Sequence, residues 1–151
     1  MTRAELIAFV RESNRIEGIE REPSVGEVEA YREFLRLEHV TIRDLSRLVS
    51  RLAPRARLRD RPGLDVKVGR YFPPQGSVQV GYDLQRLLND VNLGNPTAFE
   101  VHLRYERLHP FTDGNGRSGR ALWLWMHDGK APLGFLHAFY YEALRHAEEK
   151  T

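Results

Sequence analysis

The chain has 151 residues, of which 41% are hydrophobic and 29% are charged, with a formal net charge of +2. This composition is that of a globular domain, and it excludes a transmembrane helix, which needs about 20 continuous apolar residues. Zero cysteines exclude disulfides, thiolate catalysis and zinc–thiolate sites, and with no pattern typical of a secretory signal they predict a cytoplasmic location.

Apolar residues at helical spacing predict seven helices, over about residues 4–16, 24–39, 41–53, 82–92, 97–108, 117–126 and 134–149. The second helix begins with a capping box, formed by Ser24 and by Glu27 three residues later. Gly18 and Pro54 predict the ends of the first and third helices.

Between the third and fourth helices the pattern changes from helical to alternating. The segment from Leu64 to Pro74 alternates apolar and polar residues and ends at a double proline. This pattern predicts a short hairpin, or flap, over about residues 64–81, in which Val66–Tyr71 pairs with Val78–Val80. The expected fold is therefore mainly α, a single-domain helical bundle with one small β-hairpin.

The basic residues are unusual in kind, since 20 of the 23 are arginine and five of them alternate through Arg51–Arg61. Arginine presents a planar fork that suits carboxylate and phosphate. The run is interpreted either as a solvated helix face and loop or as a contact with nucleic acid. The balanced total charge argues against a dedicated DNA-binding protein, so nucleic acid is not an expected partner.

The sequence "HPFTDGNGRSGR", at 109–120, gathers several chemically competent groups in one loop. Pro110 disfavours helical geometry in the residue before it, which places His109 at the end of a helix. His109 is the one candidate here with a near-neutral pKa, and is therefore a candidate general base. Asp113 is a candidate ligand for Mg²⁺, which is commonly bound by one or two carboxylates and substrate phosphates.

The second half of the same loop predicts an anion site. Gly114 and Gly116 allow backbone amides to approach a ligand closely, and the next helix begins at about Arg117. Arg117 and Arg120 are three residues apart and project from nearly the same face of that helix. Each residue alone is also explained by ordinary helix capping, but together they favour a site for polyphosphate.

These twelve residues closely resemble the signature of the Fic family, His-Pro-Phe-x-Asp-Gly-Asn-Gly-Arg-x-x-Arg, which is complete here. The resemblance implies a mainly helical nucleotidyltransferase that moves AMP from ATP to a Ser, Thr or Tyr hydroxyl. It implies that His109 deprotonates the hydroxyl, that Phe111 anchors the loop and that Asp113 coordinates Mg²⁺. It further assigns the anion hole and the phosphate contacts to Gly114, Asn115, Gly116, Arg117 and Arg120.

The resemblance also gives the predicted hairpin a role. In this family a flap covers the site and pairs with an extended segment of the target protein, which is β-augmentation. The target-docking residues would be Val66, Lys67, Val68, Gly69, Arg70 and Tyr71. Since members often dimerise, the expected partners are ATP, a target protein (or the chain itself) and a second copy in a homodimer; no membrane partner is expected.

A second stretch, "SNRIEG" at 13–18, bears on the same site. Ser13 and Glu17 are four residues apart and share a helix face, which on its own describes a helix end with an exposed glutamate. The stretch is similar to the family's inhibitory pattern, [Ser/Thr]-x-x-x-Glu-[Gly/Asn]. That similarity implies autoinhibition in which Glu17 pairs with Arg120, with residues 1–22 as an inhibitory region and 23–151 as the Fic core.

Three other functions remain open from the sequence. The same scaffold would serve for transfer of a phosphoryl or another phosphate-containing group. A non-enzymatic, nucleotide-responsive or DNA-associated regulator would use the arginine run. A metal hydrolase would use His102, His109 and Asp113, although no His-Glu-x-x-His pattern is present.

Overall fold

The computed structural model describes residues 1–130, which form six α-helices. Their bounds are α1 Arg3–Ile16, α2 Val25–Leu35, α3 Ile42–Leu52, α4 Val78–Leu93, α5 Ala98–Leu108 and α6 Asn115–Met126. The mainly helical fold predicted from the sequence is confirmed. The helix predicted over 134–149 lies outside the described residues. Within residues 1–130, no helix combines the length and the apolar character that a bilayer crossing requires.

Most of the helices begin at residues whose side chains accept hydrogen bonds from the first amides of the helix. Four of them, α1, α2, α3 and α5, start with reciprocal capping boxes. In the predicted box of α2, the Glu27 amide donates to Ser24 Oγ over 3.1 Å and the Ser24 amide donates to the Glu27 carboxylate over 3.0 Å. A good cap contributes about 1 kcal/mol. This helix ends at Leu35, earlier than the periodicity predicts, because the next amides turn back to the carbonyls of Glu33 and Phe34.

Helix α6 lies at the centre of the fold. It packs along α5 and is contacted by α1, α2 and α3 as well, while α4 covers the other side of α5. Its middle residues are accordingly buried on every face, including Ala121, Leu122 and Leu124. A helix surrounded in this way holds its amino-terminal end, where the functional loop begins, in a fixed position.

The predicted hairpin is wrong in its second strand. Val78–Val80 forms the first turn of α4, where Ser77 Oγ accepts a bond of 3.2 Å from the Gln79 amide. Val78 is exposed and Val80 is buried, an alternation that a strand and the first turn of a helix share. The observed feature is a tighter turn, in which Val68 and Tyr71 exchange two backbone bonds of 2.9 Å.

Candidate active site

His109 ends α5 in a left-handed backbone conformation, with φ 49° and ψ 62°. Its ring Nδ1 lies 3.1 Å from the carbonyl oxygen of Glu106. Because a carbonyl only accepts, Nδ1 carries the proton and Nε2 is the basic nitrogen. Burial lowers the pKa of His109 below its ordinary value, and the charge of Arg59 adds to this. The geometry therefore presents a neutral imidazole whose tautomer suits a general base.

The loop that follows His109 is held by its own side chains. Phe111 is 1% exposed and belongs to the core. The Asn115 side chain accepts a bond of 2.9 Å from the Phe111 amide and donates one of 2.7 Å to the Phe111 carbonyl. The side-chain amide of Asn115 thus braces the loop. We refer to residues 109–120 as the motif loop.

The amino terminus of α6 offers unpaired amides to the cavity. Gly114 stands at the N-cap with φ 77°, a conformation that favours glycine, and no side chain among residues 1–130 caps this helix. The first helical bond comes from the Ser118 amide to the Gly114 carbonyl, so the preceding amides have no acceptor within the helix. These amides and the helix dipole together favour an anion.

Asp113 lies beside these amides and is exposed. One of its carboxylate oxygens accepts a bond of 2.7 Å from the Gly114 amide, which leaves the other oxygen available. A single carboxylate next to an anion site is a suitable donor for Mg²⁺, whose remaining ligands are commonly phosphate oxygens and water. Within residues 1–130, no group of three or more His, Asp or Glu side chains could hold a metal by itself.

The two arginines of the motif loop differ in their contacts. Arg117 donates from Nη1 to the Leu52 carbonyl over 2.9 Å. Arg120 donates from Nε to Ser13 Oγ over 2.8 Å and from Nη2 to the Ser13 carbonyl over 3.0 Å. Both guanidinium groups are buried, at 6% and 3% residue exposure, and both line the cavity. Arg117 is thus bound to α3 and Arg120 to α1.

Glu17 reaches from the end of α1 into the same place. Its Oε1 lies 2.6 Å from Nη2 of Arg120. A Cβ built on Gly116 would lie 2.2 Å from that oxygen, which shows how closely the carboxylate approaches the first turn of α6. The structure therefore brings together the two ends of the predicted pair, Glu17 and Arg120, although they are 103 residues apart.

The cavity itself has a volume of about 580 Å³, and one wall comes from the segment between α3 and α4. Lys67, Val68 and Gly69 line it together with His109 and the motif loop. Of the other predicted docking residues, Val66 is half-buried and Arg70 is exposed. Tyr71 donates its hydroxyl to the Arg107 carbonyl over 2.8 Å. We refer to residues 64–76 as the flap.

Other residues near the site carry no local signal in the sequence. Glu106 and Thr112 also line the cavity; Glu106 belongs to no recognisable pattern, and Thr112 occupies an unspecified position of the motif. Arg59, from the arginine run, is fully buried and bonds to the backbone of the motif loop. At this position both interpretations of the run, solvated face and nucleic-acid contact, are wrong. His102 is buried and absent from the cavity lining, which argues against the metal-hydrolase alternative.

The fold and the site together define a helical domain with a polar cavity built around one helix amino terminus. Residues 30–127 match the Fic/DOC family, and since this range covers more than half of the chain, the protein belongs to that family. The matched range contains the flap and the motif loop but begins after α1, so Glu17 lies outside it. Members of the family are typically transferases. Comparison with curated proteins gives no match.

Proposed function

We propose that this protein is an adenylyltransferase that moves AMP from ATP to a Ser, Thr or Tyr hydroxyl of a target protein or of itself. The observation that carries the proposal is the shared cavity, which is lined both by the half-buried imidazole of His109 and by the open amino terminus of α6. A polyphosphate in this cavity would meet the amides of α6 and the cations of the motif loop, and it would also meet a base, His109. The flap supplies the third wall, where a target chain would lie.

In the proposed complex the phosphates lie at the α6 amino terminus. The amides after Gly114 would surround the α-phosphate, and Arg117 and Arg120 would neutralise the outer phosphates. Asp113 would hold Mg²⁺ with its available carboxylate oxygen, and the ion would neutralise charge that develops on the phosphates. Arg117 supports this role because, within residues 1–130, its buried Nε has no hydrogen-bond partner, while its Nη1 bonds to Leu52.

The proposed reaction is an in-line displacement at the α-phosphorus. Nε2 of His109 takes the hydroxyl proton as the hydroxyl oxygen forms its bond to the α-phosphorus. The bond from that phosphorus to the bridging oxygen breaks, and pyrophosphate leaves with the electron pair. The lowered pKa of His109 keeps the imidazole neutral, and therefore able to accept this proton, at neutral pH.

We further propose that Glu17 inhibits this reaction. Its carboxylate lies against the α6 amino terminus and is bound to Arg120. A phosphate group at that position would meet a like charge and would lose the Arg120 contact. The Ser13 bonds to Arg120 support the same conformation, because they hold the guanidinium toward α1.

The proposed function is tested by incubating variants with ATP and Mg²⁺ and measuring intact mass. Glu17→Gly is expected to gain AMP at least tenfold faster than the native chain, and Glu17→Gly with His109→Ala is expected to gain none. Glu20→Gly is the matched control, since this glutamate is exposed and forms no ion pair within residues 1–130. A mass gain of phosphate instead of AMP would favour the phosphoryl-transfer alternative, and AMP gain that persists without His109 would contradict the proposal.

A further inference from the structure

Arg59 is the buried member of the arginine run. It is 0% exposed, whereas Arg55, Arg57 and Arg61 are exposed. Its guanidinium donates four hydrogen bonds, and all four acceptors are backbone carbonyls. Burial of a cation against carbonyls alone is unfavourable for its solvation, and it accordingly lowers the pKa of Arg59 from its ordinary value. The contribution of such a residue lies in the segments that it joins.

Two of the four acceptors belong to the end of α5. Nη2 donates to the Leu108 carbonyl over 2.8 Å, and Nε donates to the His109 carbonyl over 2.6 Å. The left-handed backbone of His109 is unfavourable for a residue with a Cβ. The bond from Arg59 holds the carbonyl of that residue directly, and so fixes the direction in which the imidazole leaves the chain.

The other two acceptors lie near the two ends of the flap. Nη1 donates to the Leu64 carbonyl over 3.2 Å and to the Pro74 carbonyl over 2.7 Å. The ends are joined a second time by the Gly76 amide, which donates to Asp65 over 2.8 Å. One guanidinium therefore closes the base of the flap.

The backbone of Arg59 makes the same two connections. Its amide donates to the Pro110 carbonyl over 2.8 Å, in the motif loop. Its carbonyl accepts a bond of 3.1 Å from the Ser77 amide, directly after the flap. The side chain and the main chain of a single residue thus tie the motif loop and the flap base together.

We infer that Arg59 is a positioning residue, which sets the placement of the flap relative to His109. The inference rests on the proposed function, because the flap would carry the segment that presents the hydroxyl. Small errors in such placement are costly, since a misplacement of about 1 Å can reduce a rate about 100-fold. Within residues 1–130 the hydrogen bonds of the Arg59 side chain go only to these four carbonyls, and none reaches the α6 amino terminus. Loss of Arg59 should therefore impair transfer and leave nucleotide binding intact.

The kinetic test uses self-modification by the full chain with ATP and Mg²⁺ in the Glu17→Gly background. Arg59→Met is expected to lower the maximal rate at least tenfold and to leave KM for ATP within twofold. Arg59→Lys should be intermediate, because it keeps the charge and some of the donors. Arg57→Met is the matched control and should change neither value. A maximal rate within twofold for Arg59→Met, or a KM that rises with the loss of rate, would overturn the inference.

Hydrogen exchange of the same variants separates this inference from the proposed function. Arg59→Met should speed amide exchange in residues 64–76 and 108–112 together, with α1 and α2 unchanged. If the Glu17→Gly chain gains no AMP, the proposed function fails, and the exchange pattern still decides whether Arg59 couples the two segments. Faster exchange in all helices, or in only one of the two segments, would overturn the coupling. The same measurement on Arg59→Lys, which keeps the charge, tests the coupling in a variant that perturbs the fold less.

Discussion

The motif loop and the flap face each other across one cavity but are stabilised in different ways. The motif loop is held from within, by the Asn115 bonds to Phe111 and by burial of the Phe111 ring. The flap is mostly exposed and is fixed at its base by Arg59 and further along by Tyr71. This difference matches the proposed roles, because a base and an anion site require a fixed geometry, whereas a docking segment must adapt to another chain.

The largest expected effect tests the internal bracing of the motif loop. Asn115→Ala leaves the buried amide and carbonyl of Phe111 without partners, and should lower the free energy of unfolding by about 3 kcal/mol. Urea unfolding measures this value. Asn89→Ala is the control, because its side-chain bond to Gln85 is exposed, and it should change the value by less than about 0.5 kcal/mol. Equal effects of the two variants would contradict the internal bracing.

A second prediction concerns the support beneath the motif loop. Burial lowers the pKa of His102, on α5, to about 3. Below pH 6.5 the unfolded chain takes up a proton that the folded chain does not, so stability falls as pH falls toward 3. As the pH falls from 6.5 to 5.0, this histidine alone should lower the free energy of unfolding by about 2 kcal/mol.

Urea unfolding at several pH values checks this fall. The matched variant is His102→Gln, which has no titrating ring and should lose less stability over the same pH range. Parallel curves for the native chain and the variant would show that His102 does not cause the acid sensitivity.

The pH dependence of transfer tests the base in the motif loop. Since burial lowers the pKa of His109, the imidazole remains neutral somewhat below pH 6.5. The pH at which AMP transfer by the Glu17→Gly chain falls to half of its maximal rate should therefore lie below 6.5. Initial rates at ATP concentrations well below KM, which report the free protein, measure it within the pH range where circular dichroism is unchanged. A half-maximal rate at a pH above 6.5 would contradict this assignment of the base.

The smallest expected effect concerns the flap. Tyr71→Phe removes one exposed hydrogen bond, to Arg107, and should lower stability by no more than about 1 kcal/mol. Transfer should nevertheless fall several-fold, because the flap loses an attachment beside the cavity. Tyr82→Phe is the control, since Tyr82 is 65% exposed. A large loss of stability on Tyr71→Phe would mean that the flap is held as firmly as the motif loop.

The motif loop was more predictable from the sequence than the flap, because it is held by bonds between its own residues. These bonds join residues that are close neighbours along the chain, such as Asn115 and Phe111. Pro110 and Gly114 also restrict the backbone locally. The capping box of α2 is equally local and was predicted correctly. The partners of Arg59 lie up to 50 residues away, so no local pattern could indicate its burial.

The prediction of a second strand in the hairpin was wrong because the local pattern was ambiguous. Four residues that alternate in polarity fit a strand and the start of a helix equally well. The helix is favoured over the strand because a series of buried residues at helical spacing begins here, formed by Val80, Leu84, Leu87 and Leu88 of α4. The Glu17–Arg120 contact was predictable only through a family resemblance, since nothing in the chain between them indicates that α1 returns to α6.

The left-handed backbone of His109 restricts the choice of residues at that position. Alanine at φ 49° bears the conformational cost of about 1–2 kcal/mol that histidine also bears there. Asparagine adopts this region more readily than most residues with a Cβ. His109→Asn should therefore remove the base while the loop keeps its shape, and the difference in the free energy of unfolding between the asparagine and alanine variants would measure the cost of this backbone conformation.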